Sequence, residues 1–128
     1  MATVTSIGQI ALTVTDLPRA VAFYCDVLGL PFLFEAASMA FFDCAGIRLM
    51  LAGSAKPQPA GGASVIYYKV ADLQMTYETL SARGVAFEAK PHLVAKLPDH
   101  ELWMAFFRDP DANLLALMSE RAHEAEAP

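Results

Sequence analysis

The sequence has 128 residues, a mass of 13.8 kDa and a formal net charge of −5. Hydrophobic residues make up 55% and charged residues 18%, a balance that excludes a disordered chain and predicts one compact domain. The nine Lys and Arg residues are scattered singly, so the clustered cationic surface that nucleic acid requires is missing. Nucleic acid is therefore not an expected partner.

The composition also predicts where the protein works. No apolar run approaches the ~18 residues needed to cross a bilayer, so we expect no membrane partner. The first ten residues have no basic region followed by an apolar core, and we expect a cytoplasmic protein without a secretion signal. Cys25 and Cys44 lack the C-x-x-C spacing of a metal or redox pair. They are expected to be buried thiols rather than a disulfide.

The first half of the chain predicts a strand, a helix and three further strands. Alternation over 7–14 indicates a strand with both faces partly covered. Asp16 is expected to cap a helix over 17–28 that Gly29 ends. The segment 54–63 is rich in Pro and Gly, as linkers are. The three further strands are predicted at 31–36, 39–44 and 47–52.

The second half repeats this order. The string ALTVTDL at 11–17 is answered by YYKVADL at 67–73, so Asp72 is expected to cap a second helix that Gly84 ends. Near the end of the chain, RDPDAN at 108–113 separates two apolar runs and predicts a β-hairpin with a loop of five or six residues. The repeat predicts an α+β fold of two tandem βαβββ modules.

Two motifs carry a resemblance to a known family. They are AspLeu-x-x-Ala-x-x-PheTyr-x-x-ValLeuGlyLeu over 16–30 and AspPro-x-x-Asn over 109–113. Together with the tandem βαβββ order, they resemble the vicinal oxygen chelate superfamily. That group includes glyoxalase I, extradiol dioxygenases, methylmalonyl-CoA epimerase, fosfomycin-resistance enzymes and bleomycin-resistance proteins. The resemblance covers about residues 5–118 and is specific for fold rather than for function.

The resemblance implies a domain plan and a binding mode. It implies a single domain over 1–128 whose modules form a U-shaped trough of mixed sheets, often completed across a dimer, with a small organic molecule inside. We therefore expect a homodimer and a small-molecule ligand, which an aromatic group would suit. The parts are module one at about 5–53, the linker 54–63, module two at about 64–118 and a tail, frayed or disordered, at 119–128.

Metal-dependent members resemble one another in drawing ligands from the first and last strand of each module. Carried over residue by residue, these positions are Gln9, Met50, Val65 and Ala116. Only Gln9 offers an oxygen ligand, whereas a catalytic divalent ion needs about three ligands of His, Glu, Asp or Cys type. We expect the usual metal centre to be absent and no cofactor to be needed, unless a metal site has been relocated.

Arg48 has two interpretations. It is expected to share a strand face with Met50, where its planar guanidinium would suit a carboxylate or phosphate of a ligand. Alternatively, it pairs with Asp43 or Glu35, or points into solvent. The sequence leaves both open.

The segment Lys90–Trp103 is the part by which module two exceeds module one. In a functional interpretation this hairpin closes over the trough, Trp103 stacks on a ligand, and His92 or His100 serves as a base or hydrogen-bond partner. In the structural alternative, His100 is solvated and Trp103 fills the core. A metal site of His92, His100 and Glu101 is disfavoured, because adjacent strand residues face opposite ways.

The leading hypothesis is a metal-independent protein that binds or sequesters a small molecule, resembling the bleomycin-resistance type. In this hypothesis Trp103, Tyr67 and Phe residues hold the ligand together with polar anchors such as Gln9, Arg48 and His92. The alternatives are a lyase, isomerase or dioxygenase of the same superfamily with a relocated metal site, and a module used only for dimerisation. No catalytic residue is assigned. Ala112 replaces a glycine common in the family's turn, which would cost about 1 kcal/mol if its φ is positive. The candidate ligand-binding residues are Gln9, Arg48, Met50, Tyr67, His92, His100, Trp103 and Ala116.

Overall fold

The computed structural model describes residues 7–54 and 65–122. These residues belong to two compact units, one within 1–60 and the other within 61–128. Each unit has the element order βαβββ and forms one four-stranded sheet. The predicted α+β fold of two βαβββ modules is confirmed. The predicted linker lies almost wholly outside the described residues.

The first unit forms a mixed sheet in the order β1-β4-β3-β2. Strand β1 runs parallel to β4, and the other pairs are antiparallel. Its elements are β1 (Gln9–Val14), α1 (Leu17–Ala22), a π-helical turn (Phe23–Val27), β2 (Phe32–Ala36), β3 (Met39–Cys44) and β4 (Ile47–Gly53).

The second unit repeats this arrangement in the order β5-β8-β7-β6, with β5 parallel to β8. Strand β7 pairs antiparallel with both β8 and β6. Its elements are β5 (Ile66–Lys69), α2 (Leu73–Ala82), β6 (His92–Lys96), β7 (Glu101–Arg108) and β8 (Leu114–Arg121). Within the described residues, neither unit has a helix long and apolar enough to span a membrane.

Both helices begin as predicted, at an aspartate cap. The Asp16 Oδ1 atom accepts the Arg19 backbone N–H at 3.1 Å, and Asp72 Oδ1 accepts that of Met75 at 3.0 Å. The prediction of one regular helix over 17–28 is wrong, because α1 widens into the π-helical turn after Ala22. The Leu28 N–H there donates to the Phe23 carbonyl, five residues back.

Each sheet buries one face against its own helix. In the first unit, the fully buried Tyr24 that follows α1 packs its ring 6.2 Å from that of Phe42 on β3. In the second unit, rings connect α2 to the sheet in sequence, with Tyr77 4.6 Å from Phe87 and Phe87 5.3 Å from Phe107. The core therefore lies between helix and sheet in each unit, and the other sheet face is left for other contacts.

The predicted hairpin over 102–120 is confirmed, and its turn is built around a buried carboxylate. Asp109 is 5% exposed, and its Oδ1 accepts the backbone N–H groups of Asp111 and Asn113, each at 2.9 Å. Its Oδ2 accepts the Asn113 side-chain amide at 2.9 Å. Ala112 has a φ of +65°, so this alanine does occupy the left-handed region where the family's turn usually has glycine.

The end of the second unit corrects one expectation. The tail was predicted to begin at residue 119, but β8 continues to Arg121, which pairs with Glu101, and Ser119 is buried. Strand β7 begins at Glu101, one residue earlier than predicted, and so supplies ladder partners for these last residues. The rest of the predicted tail, from 123 onward, lies outside the described residues.

Candidate functional site

The face of each sheet that does not contact its own helix is the candidate binding surface. We call these surfaces the first and the second helix-free face. Alternation along the strands decides which residues they hold, since side chains two apart share a face. The first face includes Gln9, Ala11, Phe34, Phe41, Arg48 and Met50, and the second includes Tyr67, His92, Met104, Phe106, Ala116 and Met118.

The two metal-ligand positions carried over to the first unit meet on the first helix-free face. The Gln9 Nε2 amide donates to the Met50 thioether sulfur at 3.8 Å. Gln9 also lies beside Arg48, its register partner on β4. The two positions therefore come together as the fold family implies, but they bring an amide and a thioether.

Arg48 is exposed on the same face and sits above an aromatic pair. Its guanidinium carbon is 5.8 Å from the centroid of the Phe41 ring, and Phe41 stacks on Phe34 with centroids 4.5 Å apart. The suggested pairing with Glu35 is wrong, because Glu35 pairs with Ala40 and belongs to the helix-covered face. Asp43 shares the face with Arg48, and its Oδ1 accepts the Gly46 N–H at 3.2 Å.

The cysteines of the first unit are both free and half-buried. Burial raises the pKa of the Cys44 thiol, and the negative charge of neighbouring Asp43 raises it further. A raised pKa lowers the fraction of reactive thiolate at neutral pH. At neutral pH Cys44 is therefore less nucleophilic than an ordinary cysteine.

On the second helix-free face, two aromatic rings close over a small residue. Tyr67 and Phe106 are the register partners of Ala116 on its two sides, and their ring centroids are 6.1 Å apart in an edge-to-face arrangement. Ala116 is fully buried, while Tyr67 remains 46% exposed. Ala116 thus shapes the surface through its small size, and the exposed ring of Tyr67 offers the contact area.

His92 continues this aromatic surface toward the sheet edge. Its ring lies 6.3 Å from that of Phe106 with 28° between the planes, and its register partner is Met104. The Nδ1 atom is 3.1 Å from the Lys90 carbonyl oxygen, which can only accept a hydrogen bond. Nδ1 is therefore the protonated nitrogen, and in the neutral ring Nε2 keeps its lone pair.

His100 belongs to a polar cluster at one end of the second helix-free face. Its Nδ1 is 2.7 Å from an Asp99 carboxylate oxygen, and its Nε2 is 3.7 Å from Glu120 Oε2. Glu120 Oε1 is in turn 3.6 Å from Lys69 Nζ. His100 is thus held by carboxylates on both ring nitrogens, and this cluster is separate from the aromatic contacts of His92.

The sequence of this chain is similar to those of known proteins. A match to the Glyoxalase/Bleomycin resistance protein/Dioxygenase superfamily spans residues 6–117. The chain belongs to this superfamily. The uncharacterized protein YraH of Bacillus subtilis (strain 168) is similar to it, with 35% identity over 126 residues that cover 85% of this chain and 94% of YraH.

Solved structures of the superfamily share the fold. A glyoxalase/bleomycin resistance protein/dioxygenase from Nocardioides is 20% identical and covers 100% of this chain and 93% of its own, with a TM-score of 0.74. A lactoylglutathione lyase from Agrobacterium tumefaciens is 23% identical and covers 92% and 96%, with a TM-score of 0.71. At these identities the likeness establishes the fold and leaves the function to be argued from the site.

Trp103 is separated from the aromatic residues that it was predicted to join. Its register partner is Ser119, and it lies on the helix side of the sheet, where its Nε1 donates to Glu101 at 3.1 Å and Arg121 stacks 4.0 Å above its ring. The expectation that it would share a surface with Tyr67 is therefore wrong. Side chains alternate between the two faces along a strand, so Trp103 points to the face opposite to that of Met104 and Phe106.

Much of both faces is built by residues that the sequence did not single out. Met104 and Met118 were not expected at the site, and Phe41 and Phe106 were not named among the Phe residues expected there, although each is a register partner or near neighbour of a residue that was named. The available signal was alternation, because Phe106 is two residues from Met104 and lies on the same face. Alternation alone does not show which of the two sets of alternate residues faces away from the helix, because that depends on the register between strands.

The residues at the superfamily's metal positions do not fit a catalytic divalent ion. Gln9 and Met50 supply an amide and a thioether, while Val65 and Ala116 supply alkyl groups. Throughout 7–54 and 65–122, no three His, Cys, Asp or Glu side chains are grouped so that they could hold a metal ion. Such an ion in an enzyme is bound by about three of those residue types.

Proposed function

We propose that this superfamily member binds a small organic molecule with an apolar or aromatic body and an anionic group, and that it does so without a divalent metal ion at the superfamily positions. The observation that carries the proposal is Arg48, exposed on the first helix-free face above the Phe41 ring and beside Gln9. Such a surface can bind or sequester a small molecule without a nucleophile or a metal centre.

The physical basis is the pairing of a guanidinium with an aromatic platform. A planar guanidinium binds a carboxylate or phosphate through two parallel hydrogen bonds, and such charge-assisted bonds are stronger than neutral ones. Directly beside it, the exposed ring of Phe34 offers an apolar surface, and the buried ring of Phe41 supports it by stacking. A ligand with an aromatic ring and an acidic group can therefore satisfy both parts of this face.

The second helix-free face offers aromatic surface as well. Tyr67, Phe106 and His92 form a continuous set of ring contacts, and none of these rings is fully buried. Aromatic pairs of this geometry contribute about 0.5–1.5 kcal/mol beyond the apolar area that they bury. We propose that this face favours an apolar or aromatic group of a ligand.

The experiment is a ligand screen followed by one substitution. Aromatic carboxylates and the matching uncharged amides are compared by isothermal titration calorimetry against the wild-type chain and Arg48→Met, which keeps the aliphatic stem. We expect carboxylates to bind and Arg48→Met to weaken them by roughly 10- to 100-fold, the range for a hydrogen bond to a charged group.

Arg83→Met is the matched control, since Arg83 is also exposed but lies at the end of α2. This control is expected to bind carboxylates as the wild type does. Equal binding of acids and amides, or equal binding by the Arg48→Met variant, would overturn the proposal.

The homodimer and the cytoplasmic location stay predictions. Size-exclusion chromatography with light scattering tests the first. A mass near twice 13.8 kDa is expected. A monomer mass across the micromolar range would contradict it.

A further inference from the structure

One histidine and two methionines form a row across three neighbouring strands of the second helix-free face. His92 on β6 pairs with Met104 on β7, which pairs with Met118 on β8. Register partners on adjacent strands point to the same face, with Cβ atoms about 4.5–5.5 Å apart. The contact of His92 with Phe106, two residues from Met104, confirms its side of the sheet. One imidazole and two flexible thioethers are thus within reach of a common point.

The imidazole is oriented as a metal ligand would be. Its Nδ1–H donates to the Lys90 carbonyl at 3.1 Å, which leaves the lone pair of Nε2 free to coordinate. Metal-binding histidines characteristically donate their other N–H to a backbone carbonyl or a carboxylate, and this fixes both the tautomer and the ring orientation. His92 has this arrangement, and its ring is exposed.

The donor types select the kind of ion. Thioether sulfur is a soft, polarisable ligand that prefers Cu(I), whereas Mg²⁺, Ca²⁺ and Mn²⁺ prefer oxygen ligands. All three donors are uncharged, so a monovalent ion leaves the site with a single positive charge. This set is unlike the oxygen-rich and imidazole-rich sets of divalent ions.

The neighbouring charges do not oppose a cation strongly. Lys69 is the register partner of Met118 on its other side, and its Nζ lies 3.6 Å from a Glu120 carboxylate oxygen. The two charges offset each other close to the row. Since both side chains are substantially exposed, solvent and salt screen what remains.

From these observations we infer that His92, Met104 and Met118 form a binding site for a soft monovalent cation, Cu(I) or its redox-inert analogue Ag(I). The inference goes beyond the proposed function and concerns different residues from Arg48. Within the second unit it also uses other residues than Val65 and Ala116, the positions that the family resemblance implies for a metal.

The first experiment titrates silver nitrate into the full chain in chloride-free buffer. Because thiolates also bind Ag(I), Cys25→Ala and Cys44→Ala are combined as the background, and its fold is checked by circular dichroism. The chain has six methionines, whose methyl groups are labelled with ¹³C. We expect the Met104 and Met118 methyl resonances to shift together and to saturate at one equivalent.

Met75 and Met50 are the internal controls. Met75 is 63% exposed on α2, and Met50 receives the Gln9 amide on the first helix-free face, with no histidine among its register partners. Neither resonance is expected to move at one equivalent. Parallel shifts of all exposed methionines would show unspecific binding and would overturn the inference.

The second experiment removes one donor at a time in the same background. Met104→Leu and Met118→Leu keep the volume and lose the sulfur, and His92→Gln replaces the imidazole at an exposed position. Each is expected to weaken Ag(I) binding roughly tenfold or more, as loss of a ligand or its support generally does. Met75→Leu and Arg48→Met are expected to leave it unchanged.

The outcomes separate this site from the proposed function. Loss of carboxylate binding in Arg48→Met with intact Ag(I) binding supports two independent sites. If a methionine variant fails to fold, the exposed His92→Gln variant decides. Unchanged Ag(I) affinity in folded His92→Gln, or no stoichiometric uptake by the background chain, would overturn the site.

Discussion

The two units of this chain have the same sheet order, but small and large side chains stand in opposite order at the centre of their helix-free faces. In the first unit, the row Ala11, Met50 and Phe41 places a small residue on the parallel edge strand and a large one on the central strand. In the second, the row Tyr67, Ala116 and Phe106 reverses these sizes. The aromatic residue on the third strand is common to both.

This reversal accompanies a difference in the contacts of the shared aromatic ring. Over the small Ala116, Phe106 approaches Tyr67 to a centroid distance of 6.1 Å. Beside the larger Met50, Phe41 instead stacks on Phe34 of the outer edge strand and lies beneath Arg48. One scaffold thus yields an aromatic surface with an arginine above it in one half, and an aromatic and thioether surface beside the Lys69–Glu120 ion pair in the other.

The largest effect is expected where the corresponding hairpins differ. Asp109 is buried and its carboxylate accepts three hydrogen bonds in the long β7–β8 turn, whereas Asp43 accepts one at 3.2 Å in the tight β3–β4 turn. Asp109→Ala should lower the free energy of unfolding by about 2–4 kcal/mol, because buried donors lose their acceptor. Asp43→Ala, the control, should cost less than about 1 kcal/mol. Urea denaturation of both variants measures this, and equal losses would contradict it.

The size reversal can be tested directly. Ala116→Met places a methionine, the residue found at the corresponding Met50 position, beneath two rings at a fully buried site. The overpacking should lower the free energy of unfolding by about 1–3 kcal/mol. Adding Tyr67→Ala completes the first unit's pattern and should recover part of that loss. A double-mutant cycle from urea denaturation gives the coupling between the two positions. Additive effects would show that the two residues do not share space.

A smaller gain in stability is expected at turns where alanine has a positive φ. Ala112 and Ala45 have φ values of +65° and +50°, one in the matching hairpin of each unit. Glycine at these positions removes roughly 1–2 kcal/mol of backbone strain from the folded state, because it adopts the left-handed conformation without a steric penalty. It also raises the conformational entropy of the unfolded chain, which offsets about 0.4–1 kcal/mol of that gain. Each substitution should therefore raise the melting temperature slightly, whereas Ala22→Gly in α1 should lower it. A lower melting temperature for Ala112→Gly would contradict the strain argument.

Cys44 should show an unusual pH dependence in its alkylation. Its pKa is raised by burial and by Asp43, so its thiolate fraction at neutral pH is smaller than that of an ordinary cysteine. Asp43→Asn should lower the pKa and move the rate profile with iodoacetamide to lower pH, followed at Cys44 by mass spectrometry. Glu35→Gln, a nearby substitution of the same kind, should leave the profile in place. An unmoved profile in Asp43→Asn would remove Asp43 as a cause.

The smallest effect should be seen in Trp103 fluorescence. A ligand on the second helix-free face has the sheet between itself and Trp103, whose ring is covered by Arg121 at 4.0 Å. Saturating this face with an aromatic compound should therefore leave the emission maximum unchanged, while Arg121→Leu alone should shift it. Quenching of Trp103 that follows the calorimetric binding curve would place the ligand on the helix side instead.

Much of the fold was predictable because local chemistry decides it. Asp16 and Asp72 cap helices since a carboxylate satisfies a free backbone N–H, and the Asp109 turn follows from the same property. The positive φ at Ala112 was also predictable from the turn that surrounds it. These interactions span only a few residues, so the sequence contains everything they need.

The site was less predictable because it depends on the register between distant strands. Trp103 was expected beside Tyr67, and Phe106 and Met104 were missed, since a shift of one residue exchanges the two faces of a strand. Likewise, the continuation of β8 to Arg121 depends on a partner residue, Glu101, that lies twenty positions earlier. No local pattern contains this information.

The sequence by itself determined the tandem βαβββ order, the helix caps and the turn at Asp109, because each rests on residue identity or short-range geometry. That Gln9, Met50, Val65 and Ala116 stand at metal positions is what the family resemblance implies, and the absence of a metal there stays a prediction. Only the tertiary structure decided that Arg48 lies above Phe41, that Trp103 lies on the helix side, and that His92, Met104 and Met118 form one row. The physical reason is strand pairing, which brings distant residues together in a register that the chain's local pattern does not specify.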